Sequence, residues 1–221
     1  MVKDNLLKIE NEIIKEIGYS NLTIVAVTKY YNEDKIIEAY EAGLRDFGES
    51  KPIEALDKIN KLPNYIKKES RFHLIGHLQT NKVSKVVGNF YLIQSVDTLK
   101  LAKLISNEAI KKGIVQKILL QINNANEEQK FGFSVKEIFD VFAEIKTLEG
   151  IKVTGLMNIA PLKASKKELR KLFKEIVLIR NELEEKFNCE LNEISMGMSD
   201  DYIEAIKENS TMIRIGRKLF S

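Results

Sequence analysis

Apolar residues recur along the chain with two alternating periods. Leu6, Ile9, Ile13 and Ile17 fall three or four apart, and Gly18 follows them, which predicts a helix over about residues 3–17. TIVAV (23–27) is a short β-branched run and reads as a buried strand. A helix over 33–42, with Asn32 as its N-cap and Gly43 as its stop, leads to a short strand at 44–47 and a further helix at 50–61. The alternation continues with strands at 71–75, 90–95, 116–122, 152–157, 190–195 and 211–215. Between them lie helices at 79–87, 98–112, 135–147, 166–187 and 200–208. The longest, 166–187, carries Leu169, Leu172, Phe173, Ile176, Leu183 and Phe187 at helical spacing.

About eight strands separated by helices imply parallel strands joined by crossovers. Eight such units within 221 residues suit a (β/α)8 TIM barrel preceded by one extra helix. A doubly wound open sheet is the alternative, but no G-x-G-x-x-G follows the first strand. No Pro/Gly/Ser linker breaks the series, so residues 1–221 read as one domain, large enough to bury about 70% of its unfolded surface.

Composition narrows the class. One cysteine excludes a disulfide framework and suits the reducing cytoplasm, and the N-terminal segment mixes charges into its apolar residues, unlike a secretory signal. No apolar run approaches a membrane span. Lys and Arg total 35 against 32 Asp and Glu, and lysines alternate with glutamates, so the net charge of +3 gives no one-sided basic face for nucleic acid.

In a barrel of this kind the site lies at the C-terminal ends of the strands. Lys29 stands there, on the same strand face as Val25 and Val27. A lysine held partly out of water can attack a carbonyl and form a Schiff base, whereas the ordinary alternative is a strand-end lysine reaching out to solvent. Arg214 shares a face with Met212 and needs a polar partner. If the last strand closes on the first, Lys29 and Arg214 are neighbours about 5 Å apart, a pairing eased by an anion or a neutral imine. The alternative for Arg214 is an ion pair with a carboxylate inside the barrel. In SMGMSDD (195–201) a strand ends, Gly197 turns the chain, and Ser199 or Asp200 can cap the next helix. Free N–H groups there, and at Gly216-Arg217, suit a phosphate, although an ordinary capped turn has the same sequence. His73 and His77 lie on an extended segment and lack a third ligand, so they do not make a zinc pair. Cys189 has no base beside it and reads as a buried thiol, and Asn123–Lys130 as a solvated polar loop.

The segments AVTKYY (26–31), FGES (47–50), FHLIGHLQTNK (72–82), SVD (95–97), EEQKFGF (127–133), GLMNIAP (155–161), SMGMSDDY (195–202) and STMIRIG (210–216) together resemble the pyridoxal phosphate homeostasis protein family. That family is similar to the N-terminal barrel of alanine racemase, of fold-type III among pyridoxal 5′-phosphate (PLP) proteins. The resemblance implies that Lys29 holds PLP as an aldimine and that Arg214 faces the pyridine nitrogen. It also implies that Ser195, Met196, Gly216 and Arg217 bind the phosphate by hydroxyl and backbone groups. Ser50 stands where the family usually has Asn, and Arg217 where it has Thr, which shortens one reach and replaces one hydroxyl by a cation.

An Arg facing the pyridine nitrogen cannot give it a proton, which weakens the cofactor as an electron sink. Racemases of this fold also take a second base from a further domain, and the sequence ends at Ser221, just past the eighth strand. The resemblance therefore implies a carrier of PLP in vitamin B6 homeostasis rather than an enzyme, with a low-activity amino-acid racemase or lyase as the competing reading. PLP, and through it amino acids or PLP-dependent apoenzymes, are the expected partners of a monomeric cytoplasmic protein.

Overall fold

The computed structural model describes residues 1–18, 22–125, 127 and 129–221. Eight strands pair in parallel and in sequence order: β1 (Thr23–Val27), β2 (Asp46–Glu49), β3 (Arg71–Leu74), β4 (Leu92–Val96), β5 (Gln116–Ile122), β6 (Ile151–Asn158), β7 (Glu193–Met198) and β8 (Met212–Ile215). The last strand pairs with the first, Thr23 opposite Met212 and Val25 opposite Arg214, so the sheet closes into the expected barrel. The connecting helices are α2 (Glu33–Glu41), α3 (Pro52–Lys61), α4 (Asn64–Glu69), α5 (Val83–Val86), α6 (Leu99–Lys111), α7 (Ile138–Ile145), α8 (Lys166–Phe187) and α9 (Tyr202–Lys207). The extra helix α1 (Val2–Ile17) precedes the barrel, and α10 (Arg217–Phe220) follows it.

Alternation along the strands divides the apolar residues into two sets. Ala26, Phe47, Leu74, Ile93, Ile118, Leu156, Ile194 and Ile213 pack outward against the helices. Val25, Leu92, Leu119, Met157 and Met212 fill the barrel as a separate cluster, with the polar residues His73, Gln94, Ser195 and Arg214 buried in the same interior. Burying each large apolar side chain contributes about 1.5–3 kcal/mol, so the plug is a firm base for that polar set.

The helix ends follow local chemistry. At α8, Ser165 accepts from the Glu168 amide and Glu168 reaches back to the Ser165 amide, a reciprocal cap. Helix α1 buries Val2, Leu6, Ile9 and Ile13, and its Asn5 donates to the Leu219 and Ser221 carbonyls, tying the first helix to the last.

Three strands lie further along than the apolar pattern predicts, β4 by the least, at Leu92–Val96 against 90–95. β2 begins at Asp46 rather than residue 44, and β7 runs through Met198 rather than stopping at Ser195. Gly48 and Glu49 extend β2, and Met196, Gly197 and Met198 extend β7, toward the mouth, where pairing to neighbours outweighs local propensity. Helices α4 and α10, which the apolar pattern does not predict, are too short to show a period.

Candidate functional site

Arg214 rises from β8 into the barrel interior and is almost wholly buried. Its Nη1 donates to the Ser195 carbonyl at 2.8 Å and the Ser195 hydroxyl at 2.6 Å, and its Nη2 to the Asn158 carbonyl at 2.7 Å. The partners are neutral oxygens, so the expected alternative, a directly bonded interior carboxylate, is not what holds it. Burial lowers its pKa to about 10, with Asp201 acting in the opposite direction, so the guanidinium stays charged near neutrality. Two of its five N–H groups, Nε and one on Nη2, have no protein acceptor among the described residues.

Asn158 ends β6. Its amide nitrogen donates to Asn124 Oδ1 at 2.7 Å, while its own Oδ1, buried, accepts nothing. A buried acceptor of this kind is costly unless a ligand donates to it.

Lys29 follows β1 at the same mouth, but it is exposed, with Nζ 5.0 Å from the Tyr30 ring centroid. The residue opposite Arg214 is Val25, four positions earlier, so the expected side-by-side Lys29–Arg214 pair does not form. The closing strands are staggered, and that stagger sets which residues meet. The backbone before Lys29 is firmly held. Lys58 donates to the Thr28 carbonyl at 2.9 Å and to Glu49 Oε1 at 2.6 Å, and the Thr28 hydroxyl donates to the same oxygen at 2.7 Å.

Ser195 is fully buried, and its hydroxyl donates to Gln94 Oε1 at 2.6 Å. The hydroxyl expected to meet a phosphate thus serves the interior. Met196, also buried, leads to Gly197 at φ 92°, in the left-handed region that favours glycine. A Cβ there would come 2.6 Å from that of Ala205 on α9.

The Ser199 hydroxyl does not cap α9. It accepts from the Gly216 and Lys218 amides at 3.4 Å, joining the ends of β7 and β8. Asp201 instead accepts from the Met198 amide and closes that turn, and burial pushes its carboxyl pKa up. Arg217 pairs with Asp200, both side chains exposed at the rim. Ser50 follows β2, half-buried, with its backbone against Gly76, where no Cβ fits.

The two histidines part company: His73 bonds Asp46 at 2.9 Å inside the barrel, and His77 bonds Asp97 at 2.7 Å at the mouth, stacked on Phe131. Cys189 is half-buried rather than buried, its thiol pKa raised by desolvation. In the Asn123–Lys130 loop, Asn123 donates to the Glu127 and Lys130 carbonyls, and Asn126 and Glu128 lie outside the described residues. Sequence reasoning assigned no role to Asn158, Gln94, Glu49 or Lys58. Their one signal was being polar at the ends of otherwise apolar strands or on a facing helix.

The alanine racemase N-terminal domain family matches residues 3–221. A pyridoxal phosphate homeostasis protein of Synechocystis sp. is 40% identical over 210 residues, 95% of either chain. Another, from Aquifex aeolicus, is 36% identical over 203 residues, 92% of this chain and 88% of its own. The chain belongs to the pyridoxal phosphate homeostasis protein family. PipY of Synechococcus elongatus, solved with PLP bound, has a TM-score of 0.88 at 31% identity, with 100% of both chains covered. Solved without PLP it has a TM-score of 0.92 at 32% identity and the same coverage. Alanine racemase of Clostridium difficile, at 16% identity, covers 98% of this chain and 56% of its own with a TM-score of 0.77, a likeness of fold. In this homeostasis protein the Ser50 backbone lies close against Gly76, and Arg217 pairs with Asp200.

Proposed function

We propose that this chain binds pyridoxal 5′-phosphate at the barrel mouth and acts in vitamin B6 homeostasis. The observation that carries the reading is Arg214: a buried, charged guanidinium with two unclaimed N–H groups, beside the unpartnered Asn158 Oδ1. A pyridine nitrogen accepts from such a guanidinium, and a buried amide oxygen suits a donor on the same ligand, so the residues present fit PLP. When bound, PLP supplies an aldehyde that condenses with a primary amine and a ring that can withdraw electrons.

Each residue then has a task. Lys29 offers the amine, on a backbone clamped by Lys58 and Glu49. Arg214 meets the ring nitrogen without protonating it, and Asn158 orients the ring. The phosphate would be held between the β7 end at Met196–Ser199 and the β8 end at Gly216–Lys218, by the hydrogen of the Ser199 hydroxyl and by backbone amides other than those that Ser199 and Asp201 already accept from. Ser195 serves by holding Arg214, and Arg217 by closing the rim with Asp200. Ser50 fixes the wall beside Gly76.

An arginine that keeps its proton favours storage of PLP over chemistry on it, so the chain acts as a carrier, handing PLP to amino acids or apoenzymes. Its lone free cysteine suits a cytoplasmic setting. No described helix is long and apolar enough to cross a membrane. We take the carrier to be a monomer and residues 1–221 to be its one domain.

The test is reconstitution with PLP. A visible absorbance band is expected that borohydride removes, with the reduced label on the Lys29 peptide and no label in Lys29→Ala. Label on another lysine, or no uptake, overturns the reading. Turnover of any L- or D-amino acid above that of free PLP, lost in Lys29→Ala, would make the protein an enzyme instead.

A further inference from the structure

A file of polar side chains crosses the barrel interior, and its donor–acceptor sense follows group by group. Arg214 carries N–H groups and no acceptor, so the Ser195 hydroxyl, 2.6 Å from its Nη1, must accept. The one hydroxyl hydrogen of Ser195 then goes to Gln94, 2.6 Å away, and the atom there must be the carbonyl Oε1. That orients the amide. Its NH2 faces His73 Nδ1 at 3.0 Å and Met212 Sδ at 3.1 Å. A thioether sulfur is an acceptor only, which gives the same amide orientation independently. His73 Nδ1 therefore presents a lone pair, and the ring hydrogen sits on Nε2, donating to Asp46 Oδ1 at 2.9 Å. The other Asp46 oxygen accepts from Arg71 Nη2 at 2.5 Å.

His73, Gln94 and Ser195 are fully buried, so none of them can exchange its partner for water. Every group donates in one direction, from the buried cation Arg214 to the carboxylate of Asp46, and the successive dipoles reinforce one another. Turning the Gln94 amide over would set N–H against the Ser195 hydroxyl hydrogen and oxygen against the Nδ1 lone pair. The file has one satisfied arrangement.

We propose that Gln94 and His73 are positioning residues of the cofactor site. By fixing the Ser195 hydroxyl they hold the Arg214 guanidinium in one plane, its free N–H edge toward the ring of bound PLP. This rests on the PLP reading above. Neither residue touches the ligand; each acts through Ser195.

In the PLP-free protein, nitrogen-15 NMR reads the His73 tautomer directly. A bare Nδ1 and a protonated Nε2 are expected, and a hydrogen on Nδ1 overturns the proposal. Gln94→Met keeps the volume and removes both bonds. It is expected to bind PLP about tenfold more weakly, ~1.4 kcal/mol, with a shifted absorbance of the bound form and the Lys29 label still trapped by borohydride. Met212→Leu touches the same amide outside the file and is expected to keep the affinity within about twofold. Wild-type affinity and spectrum in Gln94→Met, or an equal loss in Met212→Leu, overturns the proposal. If Gln94→Met fails to fold, Ser195→Ala breaks the same link and carries the same expectation. Failure of the wild-type chain to take up PLP overturns the functional reading and this proposal together, whereas PLP binding unchanged in Gln94→Met overturns this one alone.

Discussion

Arg214 and Lys29 meet the barrel mouth in opposite ways. The arginine is locked by three contacts to oxygens of Ser195 and Asn158, while the lysine is exposed on a locked backbone. A fixed guanidinium suits recognition, and a free amine on a fixed stem suits capture of an arriving aldehyde. On the proposed reading, Arg214→Ala removes a charged donor to bound PLP, a bond worth about 1.5–3 kcal/mol. PLP should then dissociate at least tenfold more readily, read by absorbance titration, while borohydride still labels Lys29. An unchanged affinity would remove Arg214 from the site. The interior also carries a titrating residue. Burial alone would raise the Asp46 carboxyl, but hydrogen bonds from His73 and Arg71 bring it below the ordinary value. An acid lowered on folding stabilises the fold above its unfolded pKa, about 4, and that contribution is lost as pH falls through the folded value. Asp46→Asn should therefore flatten the fall of Tm with acidification below about pH 4, measured by thermal melts across that range.

At the scale of elements, β6 meets β7 through Gly155 opposite Glu193. A Cβ at Gly155 would overlap the Glu193 carbonyl oxygen, backbone that cannot swing aside. The β5–β6 register also slips beside it, between Ile118 and Leu119. Gly155→Ala should lower stability by about 2–4 kcal/mol, seen as a reduced urea midpoint. The bounds of β1, β5 and α8 could be read from sequence because each is a clean apolar or amphipathic run closed by turn or cap residues. β2 and β7 could not, since Gly48, Glu49 and Met196–Met198 are strand residues for reasons of pairing to the neighbouring strands. The same division holds in the site. Lys29 and Arg214 stood out as charges on apolar faces, and their separation did not, because strand stagger is a property of the closed barrel. Ser199 is a similar case. Its partners, Gly216 and Lys218, come from another strand end, so a local reading offers it, or Asp200, only as a cap for α9.

At the scale of the molecule, the mouth is assembled from both ends of the sequence. Lys29 follows β1, Arg214 lies in β8, and the two strands pair only across the final seam of the barrel. Helix α1 reinforces that seam from outside, with Glu12 accepting from Tyr202 and Lys218. Contacts of such sequence separation form late and slowly. On the ribosome, a nascent chain would expose Lys29 long before Arg214, its proposed partner in holding PLP, has been synthesised. Affinity for the cofactor would then arise only once translation has passed β8 and the seam has shut, so that partly made copies would leave the cell's small pool of reactive aldehyde untouched.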